Sequence, residues 1–312
     1  MKHSSPRPKG QIMVILAVAL PALLGTMALC TDVSVFYFNW ANLQKAADAA
    51  ALAGAHYLPN KTDQATTVAT NYAGLNGVAG GEIQSISFAA ANTQITVTLS
   101  RIVPFYFGRV IGMSDAPVTV AATAAIVDAV TLNNPIPVGL QRCPGALPDG
   151  CYNPGDPWTL KPPGKFIEPG NWGLVDYPPL GGGADIRDEL ANGCKCSVAL
   201  DEMLSVDTEP GKKIGPVRQG LYDRITAGES LYGSVDPMSA DPFDPRVVSV
   251  PVVDFTGVKG AKEIPVLGFA VMFIGSVDGG GGIRATFLKM VVPGTPGSKD
   301  EDDLAKAPKL IN

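Results

Sequence analysis

The side chains that most often carry catalysis are sparse in this chain. Histidine occurs only twice in 312 residues, as His3 and His56, and both lie in or beside an apolar N-terminal segment. A mechanism that needs a histidine base or a histidine-ligated metal inside a globular domain is therefore nearly excluded. The sequence also lacks the G-x-x-x-x-G-K-[ST] phosphate loop and the G-x-S-x-G nucleophile turn. We therefore expect no enzyme activity, no catalytic residue and no cofactor.

One acidic group offers carboxylates on a predicted helix, with Asp176 nearby. Its members are Asp185, Asp188 and Glu189. Such a group could bind calcium, or could hydrolyse a glycosidic bond if two carboxylates face each other across a sugar. An exposed Trp172 beside Asp176 could also stack on a sugar ring. The alternatives are a solvated helix face for the acidic group and a structural turn at Asn171-Trp172-Gly173.

A second acidic group is a series of Asp-Pro dipeptides in the segment DPMSADPFDPR, at Asp236, Asp241 and Asp244. These carboxylates could supply oxygen ligands for calcium. The segment lacks the D-x-[DN]-x-[DN]-G spacing of an EF-hand loop, however, so no metal site is predicted here.

The five cysteines divide unevenly. Cys30 lies in the apolar N-terminal run, and the other four are disulfide candidates in the loop-rich middle: Cys143, Cys151, Cys194 and Cys196. A bridge from Cys194 to Cys196 is disfavoured, because so small a ring would be strained. We expect each of these two to pair with Cys143 or Cys151 if the region is exported to an oxidising compartment. A zinc site is the alternative, but the C-x7-C and C-x-C spacings match no common zinc pattern.

The net charge of the chain argues against nucleic acid as a partner. The formal net charge is −5 and the isoelectric point is near 5.1, so no nucleic-acid surface is expected. The 35 glycines and 27 prolines indicate many turns and loops.

Twenty uncharged residues from Ile12 to Thr31 predict a membrane-spanning helix over residues 12–33. The basic residues of the 1–11 tail place the N-terminus in the cytoplasm and the rest outside. Phe36, Tyr37, Phe38 and Trp40 fit an aromatic belt at the outer interface. A cleaved signal is the alternative, but this run exceeds the 7–15 apolar residues of such signals. We therefore predict a retained anchor in the lipid bilayer.

The alanine-rich stretch WANLQKAADAAALAGAHYL, residues 40–58, continues the predicted helix beyond the membrane. Small residues recur every four positions and are helix-packing candidates: Ala46, Ala47, Ala50, Ala51 and Gly54. Such rows let another backbone approach closely. The rows could pack on the protein's own sheet or on neighbouring subunits in an oligomer, and both alternatives stay open.

The remaining patterns predict an α+β protein in which the membrane-spanning helix precedes two modules. Residues 34–130 should form a helix-plus-small-sheet module, with a second helix over Thr62–Leu75 that faces Val68, Tyr72 and Leu75 inward. Strands are predicted at Glu82–Ala89, Gln94–Val103 and Pro117–Val127. Residues 131–295 should form a β-rich domain with strands at Val247–Phe255, Ile264–Ile274 and Ile283–Val292. Residues 296–312 are predicted to be a flexible tail.

A family resemblance rests on short segments spread along most of residues 9–293. At the N-terminus these are Lys9-Gly10-Gln11, Leu24-Gly25, Asp32-Val33 and the string LQKAADAAALA over residues 43–53. Further along they are Asn71-Tyr72-Ala73, Val103-Pro104-Phe105, Ile111-Gly112, Pro169–Gly173, Asn192-Gly193-Cys194, Thr208–Gly211 and Gly215-Pro216-Val217. Together they resemble TadE/TadG-like Flp pilus-assembly proteins, and specifically TadG-related proteins without a large insert.

The resemblance implies a single-pass protein of the bacterial inner membrane that helps to assemble a tight-adherence (Flp) pilus with pilin-like partner subunits. Its C-terminal domain would be periplasmic. Two departures matter. Pilin-like precursors that are processed after glycine usually carry glutamate five residues later, and Ile15 stands there after Gly10. The Asp-x-Ser-x-Ser motif of a metal-dependent adhesion domain is incomplete at residues 32–36. An anchored adhesin or glycan-binding module is the alternative function.

Overall fold

A computed structural model describes residues 11–142, 153–160, 173–177, 183–206, 210–258, 262–277, 282–292, 294–297 and 305–311. The chain is an α+β protein, as predicted. Within these residues the α-helices are α1 (Gln11–Ala55), α2 (Thr62–Leu75), α3 (Gly183–Asn192) and α4 (Pro210–Tyr232). Short 3-10 helices cover Gly80–Glu82, Gly108–Ile111 and Pro237–Ser239.

The strands fall into two sheets. The first sheet contains β1 (Ile83–Ala89), β2 (Gln94–Pro104) and β3 (Asp115–Asn133). The strands that follow are β4 (Leu140–Gln141), β5 (Pro157–Leu160), β6 (Val175–Asp176), β7 (Ser197–Ala199), β8 (Met203–Val206), β9 (Val247–Val253), β10 (Glu263–Val277), β11 (Ile283–Leu288), β12 (Met290–Val291), β13 (Gly294–Pro296) and β14 (Ala305–Ile311). Strands β7, β12, β13 and β14 belong to the first sheet, and β4, β5, β6, β8, β9, β10 and β11 form the second.

The predicted strands at Glu82–Ala89 and Gln94–Val103 are confirmed as β1 and β2, which pair as a hairpin. Ile86 lies opposite Val97 and Phe88 lies opposite Ile95, so the alternating apolar residues meet on one face. This face covers the second half of α1. The sheet, α1 and α2 together enclose the first hydrophobic cluster.

The small-residue rows of α1 pack inside the chain itself. Ala46, Ala47, Ala50 and Ala51 are fully buried, in one cluster with the sheet residues Ile95, Val97 and Leu99 and with Ala65, Ala69 and Ala73 of α2. These rows therefore pack on β2 and α2 of their own chain. The helix that approaches α1 closely is α2 of the same chain.

Gly54 is the tightest point of this packing. A Cβ added there would lie 2.6 Å from Cδ1 of Ile95, 3.0 Å from the carbonyl oxygen of Ala65 and 3.2 Å from Cβ of Ala69. The carbonyl oxygen is backbone and cannot move aside without shifting α2.

We therefore expect Gly54→Ala to lower the free energy of unfolding by about 1–3 kcal/mol, as overpacking does. Denaturant titration of the full-length protein in detergent micelles, followed by circular dichroism, measures this. Gly74→Ala in α2 is the matched control, since no atom lies within 4 Å of the added Cβ. It should stabilise the protein by up to about 1 kcal/mol through helix propensity. Equal responses of the two variants would contradict the close approach of α1 and α2.

The inward face of α2 differs from the prediction. Ala65, Ala69 and Ala73 are buried, whereas Tyr72 is 45% exposed and Leu75 is 81% exposed. The prediction put the larger apolar residues inside. It was wrong because α1 presents small residues to α2, and two helices in such close contact need small residues on both sides.

Strand β3 is longer than predicted and joins the two halves of the chain. Its first part pairs with β2, and its end pairs with β7, β13 and β14. The predicted boundary after residue 130 therefore falls inside a strand.

The predicted flexible tail is wrong for residues 305–311, which form β14. This strand pairs antiparallel with β3, and Nζ of Lys306 donates to Oδ1 of Asp128 at 2.5 Å. Ala305 and Ala307 are fully buried. The charged composition of the tail predicted a flexible segment, but Lys306 in it has a carboxylate partner, Asp128 on β3.

The second sheet is covered on one side by α3 and α4. Strands β9, β10 and β11 are neighbours in antiparallel register, as the predicted strands required. Leu190 of α3 and Leu221 of α4 are fully buried in the same cluster as Val250 of β9. Helix α4 was not predicted at all, whereas α3 lies at the predicted acidic helix.

Candidate functional site

The first half of α1 is a continuous apolar surface that the described residues leave uncovered. Every residue from Met13 to Met27 is exposed. Among the described helices, only α1, from Met13 to Ala55, is long and apolar enough to cross a membrane by length and composition. The hydroxyl groups of Thr26, Thr31 and Ser34 in this part of α1 donate to helix carbonyls three or four residues earlier. Their polar atoms thus have partners without solvent.

Asp32 ends the apolar surface and connects α1 to the sheet. Its carboxylate accepts hydrogen bonds from the backbone N–H groups of Tyr106 at 2.8 Å, Phe107 at 3.0 Å and Gly108 at 2.7 Å. These three residues belong to the β2–β3 loop, residues 105–113. Asp32 is only 5% exposed. A carboxylate bonded to several N–H groups is a strong interaction, so Asp32 fixes the position of the loop beside α1.

The four residues of the predicted aromatic belt differ in burial and in their contacts. Phe36 is half-buried and stacks on Phe105 of the β2–β3 loop, with ring centroids 6.3 Å apart. Tyr37 and Trp40 stack on each other at 5.6 Å and remain exposed, as does Phe38. The exposed aromatic patch, defined as Tyr37, Phe38 and Trp40, lies one to two turns beyond Asp32 along α1. This is a place where lipid headgroups or a partner helix could contact the chain.

The cysteine pairing corrects the sequence prediction. The Sγ atoms of Cys194 and Cys196 lie at bonding distance from each other, in the turn between α3 and β7. The intervening Lys195 has a positive φ of 55°, which tightens the turn enough to bring the two side chains together. The other two disulfide candidates, Cys143 and Cys151, lie outside the described residues. Cys30 is free and exposed on the apolar part of α1.

The first acidic group gathers around Glu189 on α3. Burial, and then the negative charges of Asp176, Asp185 and Asp188, raise the pKa of Glu189 to about 7. Asp188 instead pairs with Lys195, whose Nζ lies 3.0 Å from its Oδ2, and this hydrogen bond lowers the pKa of Asp188. Within the described residues, no set of three or more histidine, cysteine, aspartate or glutamate side chains has the geometry of a metal site. The acidic group is therefore a source of electrostatic strain.

We expect Glu189→Gln to gain stability relative to the unchanged protein as the pH rises from 5 to 8. A carboxyl group whose folded pKa is raised costs stability once the pH exceeds its unfolded pKa of about 4.3, and that cost is complete above the folded pKa. Discounted for solvent screening, the gain should be about 1 kcal/mol at pH 8. Denaturant titrations at both pH values measure it.

Glu263→Gln is the matched control, because it removes one charge from an exposed glutamate at the start of β10. A gain of the same size for Glu263→Gln, or no pH dependence for Glu189→Gln, would contradict this interpretation.

The Asp-Pro series forms turns. Asp236 accepts from the N–H of Met238 at 2.8 Å, and Asp241 accepts from the N–H of Phe243 at 2.9 Å. Asp244 instead pairs with Arg246, whose Nη2 lies 2.7 Å from its Oδ2. The three carboxylates thus serve three separate local contacts, and no shared calcium site is formed.

Two speculative ligand contacts were predicted from the sequence. Trp172 lies outside the described residues, and Asp176 lies in β6, paired with Ser205 of β8. A sugar site at these residues stays a prediction.

Comparisons with known proteins point to the N-terminal part of the chain. No curated protein and no solved structure matches the chain. Residues 10–56 match the family model of Tad, Flp pilus-assembly TadE/G-like. The matched region includes the apolar surface, Asp32, the exposed aromatic patch and the buried alanine rows. The resemblance predicted from the sequence is confirmed for this region, which contains helix α1 and is similar to TadE/G-like Flp pilus-assembly proteins.

Proposed function

We propose that the chain is a non-catalytic, single-pass membrane protein that assembles or stabilises a Tad-type (Flp) pilus. The family match over residues 10–56 supports a Tad-related role in pilus assembly. The finer proposal adds that α1 crosses the inner membrane, with the basic N-terminus in the cytoplasm and the two sheets outside.

The observation that carries the anchoring is the contrast between the two halves of α1. Met13 to Thr31 is 19 residues, or about 28 Å of helix, which matches a hydrocarbon core of about 30 Å. This half is exposed without a break from Met13 to Met27, whereas one face of the second half is buried against the sheet and α2 from Leu43 onward. An uncovered apolar helix of this length is costly in water and favourable in a bilayer.

The contact with pilus subunits should use the exposed aromatic patch, because the alanine rows are already buried. Exposed tyrosine and tryptophan side chains are frequent at interfaces, where they bring a large apolar area at low entropic cost. Lys45, one to two turns further along α1, is also exposed and could contribute charge.

Photo-crosslinking in cells that make the pilus tests the proposed role. A photoreactive amino acid is placed at Tyr37 or Phe38, and the matched control carries it at the fully buried Ala47. Discrete cross-links from positions 37 and 38 to pilus-machinery subunits, with none from position 47, are expected. Cross-links to none of these subunits from any exposed position of α1, combined with normal piliation after deletion of residues 34–312, would overturn the proposal.

The adhesin or glycan-binding alternative rests on Trp172 and Asp176 and gains no specific support from the described residues. It stays a prediction, and binding of the full-length protein to a glycan array, lost on Trp172→Ala, would favour it.

A further inference from the structure

The β2–β3 loop, residues 105–113, carries apolar side chains away from the sheet and along α1. Tyr106 is 64% exposed, Phe107 is 48% exposed, Val110 is 87% exposed and Met113 is 51% exposed. The loop follows β2 without a break and turns back into β3 through a single 3-10 turn at Gly108–Ile111. Such a cluster of exposed apolar side chains at one loop tip is unfavourable in water.

The loop reaches past Asp32 to the level of the candidate span. Phe107 and Val110 line an open cleft of about 500 Å³ whose opposite wall includes Ala22, Gly25 and Leu29 of α1. Gly25 precedes Asp32 by seven residues, or about 10 Å along the helix. If α1 crosses a bilayer from Met13 to Thr31, the tip of the loop therefore lies at the depth of the acyl chains.

A second, smaller cleft lies between the same loop and α1. It measures about 320 Å³, and Phe105 and Met113 line it opposite Leu29, Val33 and Phe36. The cleft that reaches Gly25 is lined by no ionisable side chain. Both clefts open onto the uncovered apolar surface of α1 and continue it.

Most backbone N–H groups of the loop have a hydrogen-bond partner within the protein and therefore do not need water. Asp32 accepts from the N–H groups of residues 106, 107 and 108. The backbone N–H groups of residues 105, 110, 112 and 113 donate to backbone carbonyls. At least seven of the nine N–H groups in the loop thus have a partner within the protein. An unsatisfied backbone polar group is costly in the bilayer core, so these hydrogen bonds lower the cost of placing the loop there.

We propose that the β2–β3 loop is a second membrane-inserting element, which enters the outer leaflet beside α1 while lipid acyl chains fill the two clefts. The proposal rests on the membrane anchoring proposed above. The exposed Arg109 fits this placement, because its long side chain can extend to the headgroup phosphates while its apolar stem stays in the chains. Lipid is favoured over a second copy of the chain, since the clefts are continuous with the surface of α1 that already requires lipid. The sheet would thereby be held at a fixed height on the membrane.

Fluorescence quenching by brominated lipids tests the insertion. The full-length protein, with an environment-sensitive fluorescent amino acid at Val110, is reconstituted in phosphatidylcholine and phosphatidylglycerol vesicles whose acyl chains carry bromine. Native cysteines remain untouched. Ala91 is the matched control, since it lies in the β1–β2 turn, about 35 Å away at the other end of the eleven-residue β2. Leu20, in the middle of the candidate span, reports on the anchoring itself.

Brominated lipids should reduce the emission from positions 110 and 20 by about twofold or more and leave position 91 unchanged. Quenching at position 20 without quenching at position 110 would overturn the insertion of the loop and leave the anchoring intact. Absence of quenching at both positions would overturn the anchoring and the insertion together. Quenching at position 110 that disappears as protein density in the vesicle rises would identify a second copy as the occupant and overturn the lipid assignment. Met113 provides a second reporter position if the Val110 variant does not accumulate.

Discussion

Replacing Asp244 with alanine should lower the free energy of unfolding by about 3–5 kcal/mol, because Arg246 is then buried without its carboxylate partner. The side chain of Asp244 is 0% exposed and that of Arg246 is 5% exposed. Oδ1 of Asp244 accepts from the N–H of Arg246 at 2.9 Å and from its Nε at 3.0 Å, while Oδ2 accepts from Nη2 at 2.7 Å. The guanidinium also lies 4.9 Å from the ring centroid of Phe273.

Two further variants isolate the buried charge as the cause. Asp223→Ala breaks the Arg187–Asp223 pair, whose side chains are 53% and 35% exposed, and should cost only a small fraction of that loss. The double variant Asp244→Ala with Arg246→Met should recover much of the stability, because it removes the orphaned cation as well. Denaturant titration in micelles measures all three. A loss for Asp244→Ala no greater than that for Asp223→Ala would contradict the importance of burial.

Local patterns in the sequence predicted the elements whose residues alternate or repeat cleanly. The β1–β2 hairpin follows from period-two apolar residues around a short polar turn, and α1 follows from an uninterrupted run of strong helix formers. These patterns are visible because each element has a single buried face or none. Strands β9, β10 and β11 were predicted from short apolar runs instead, and β10 is buried on both faces.

Helix α4 escaped prediction because its sequence contains residues that break a helical pattern, and packing requires two of them, Gly220 and Gly228. Pro216 and several glycines interrupt its sequence. A Cβ added at Gly220 would lie 2.5 Å from the carbonyl oxygen of Arg187 on α3, and one at Gly228 would lie 2.6 Å from Nε of Arg246. Glycine at these positions permits close contact of α4 with α3 and with Arg246. In a sequence, however, glycine indicates irregular structure.

The candidate site was predicted only in part, for a similar reason. The apolar run, the aromatic residues after it and the family resemblance all follow from consecutive residues. The partners of Asp32 are more than seventy positions away, and nothing in the local sequence pairs a lone aspartate with three backbone N–H groups. A single carboxylate directly after an apolar run is the available signal, and by itself it predicts only the end of a membrane-spanning segment.

Replacing Asp32 with alanine should release the β2–β3 loop from α1 while leaving the rest of the fold in place. Three backbone N–H groups, at Tyr106, Phe107 and Gly108, would lose their acceptor at once, and buried donors without a partner are costly. The loop also contacts α1 through apolar side chains, such as Phe105 on Phe36. We expect the amides of residues 106–108 to exchange with deuterium about 100-fold faster in the full-length protein in lipid nanodiscs, in the range that the loss of such bonds implies.

Asp32→Asn and Thr31→Ala separate the possible causes of faster exchange. The Asp32→Asn variant keeps one acceptor oxygen in a side chain of the same shape and should give an intermediate rate, because an uncharged acceptor makes weaker hydrogen bonds. The Thr31 hydroxyl donates only to Met27 within α1, so Thr31→Ala should leave the loop unchanged. Faster exchange throughout β2 and β3 would instead indicate that Asp32 stabilises the whole sheet. Unchanged exchange at residues 106–108 would mean that Asp32 does not fix the loop. If only the loop responds, the Asp32 carboxylate is what sets the position of the loop, and with it the position of the first sheet, relative to α1.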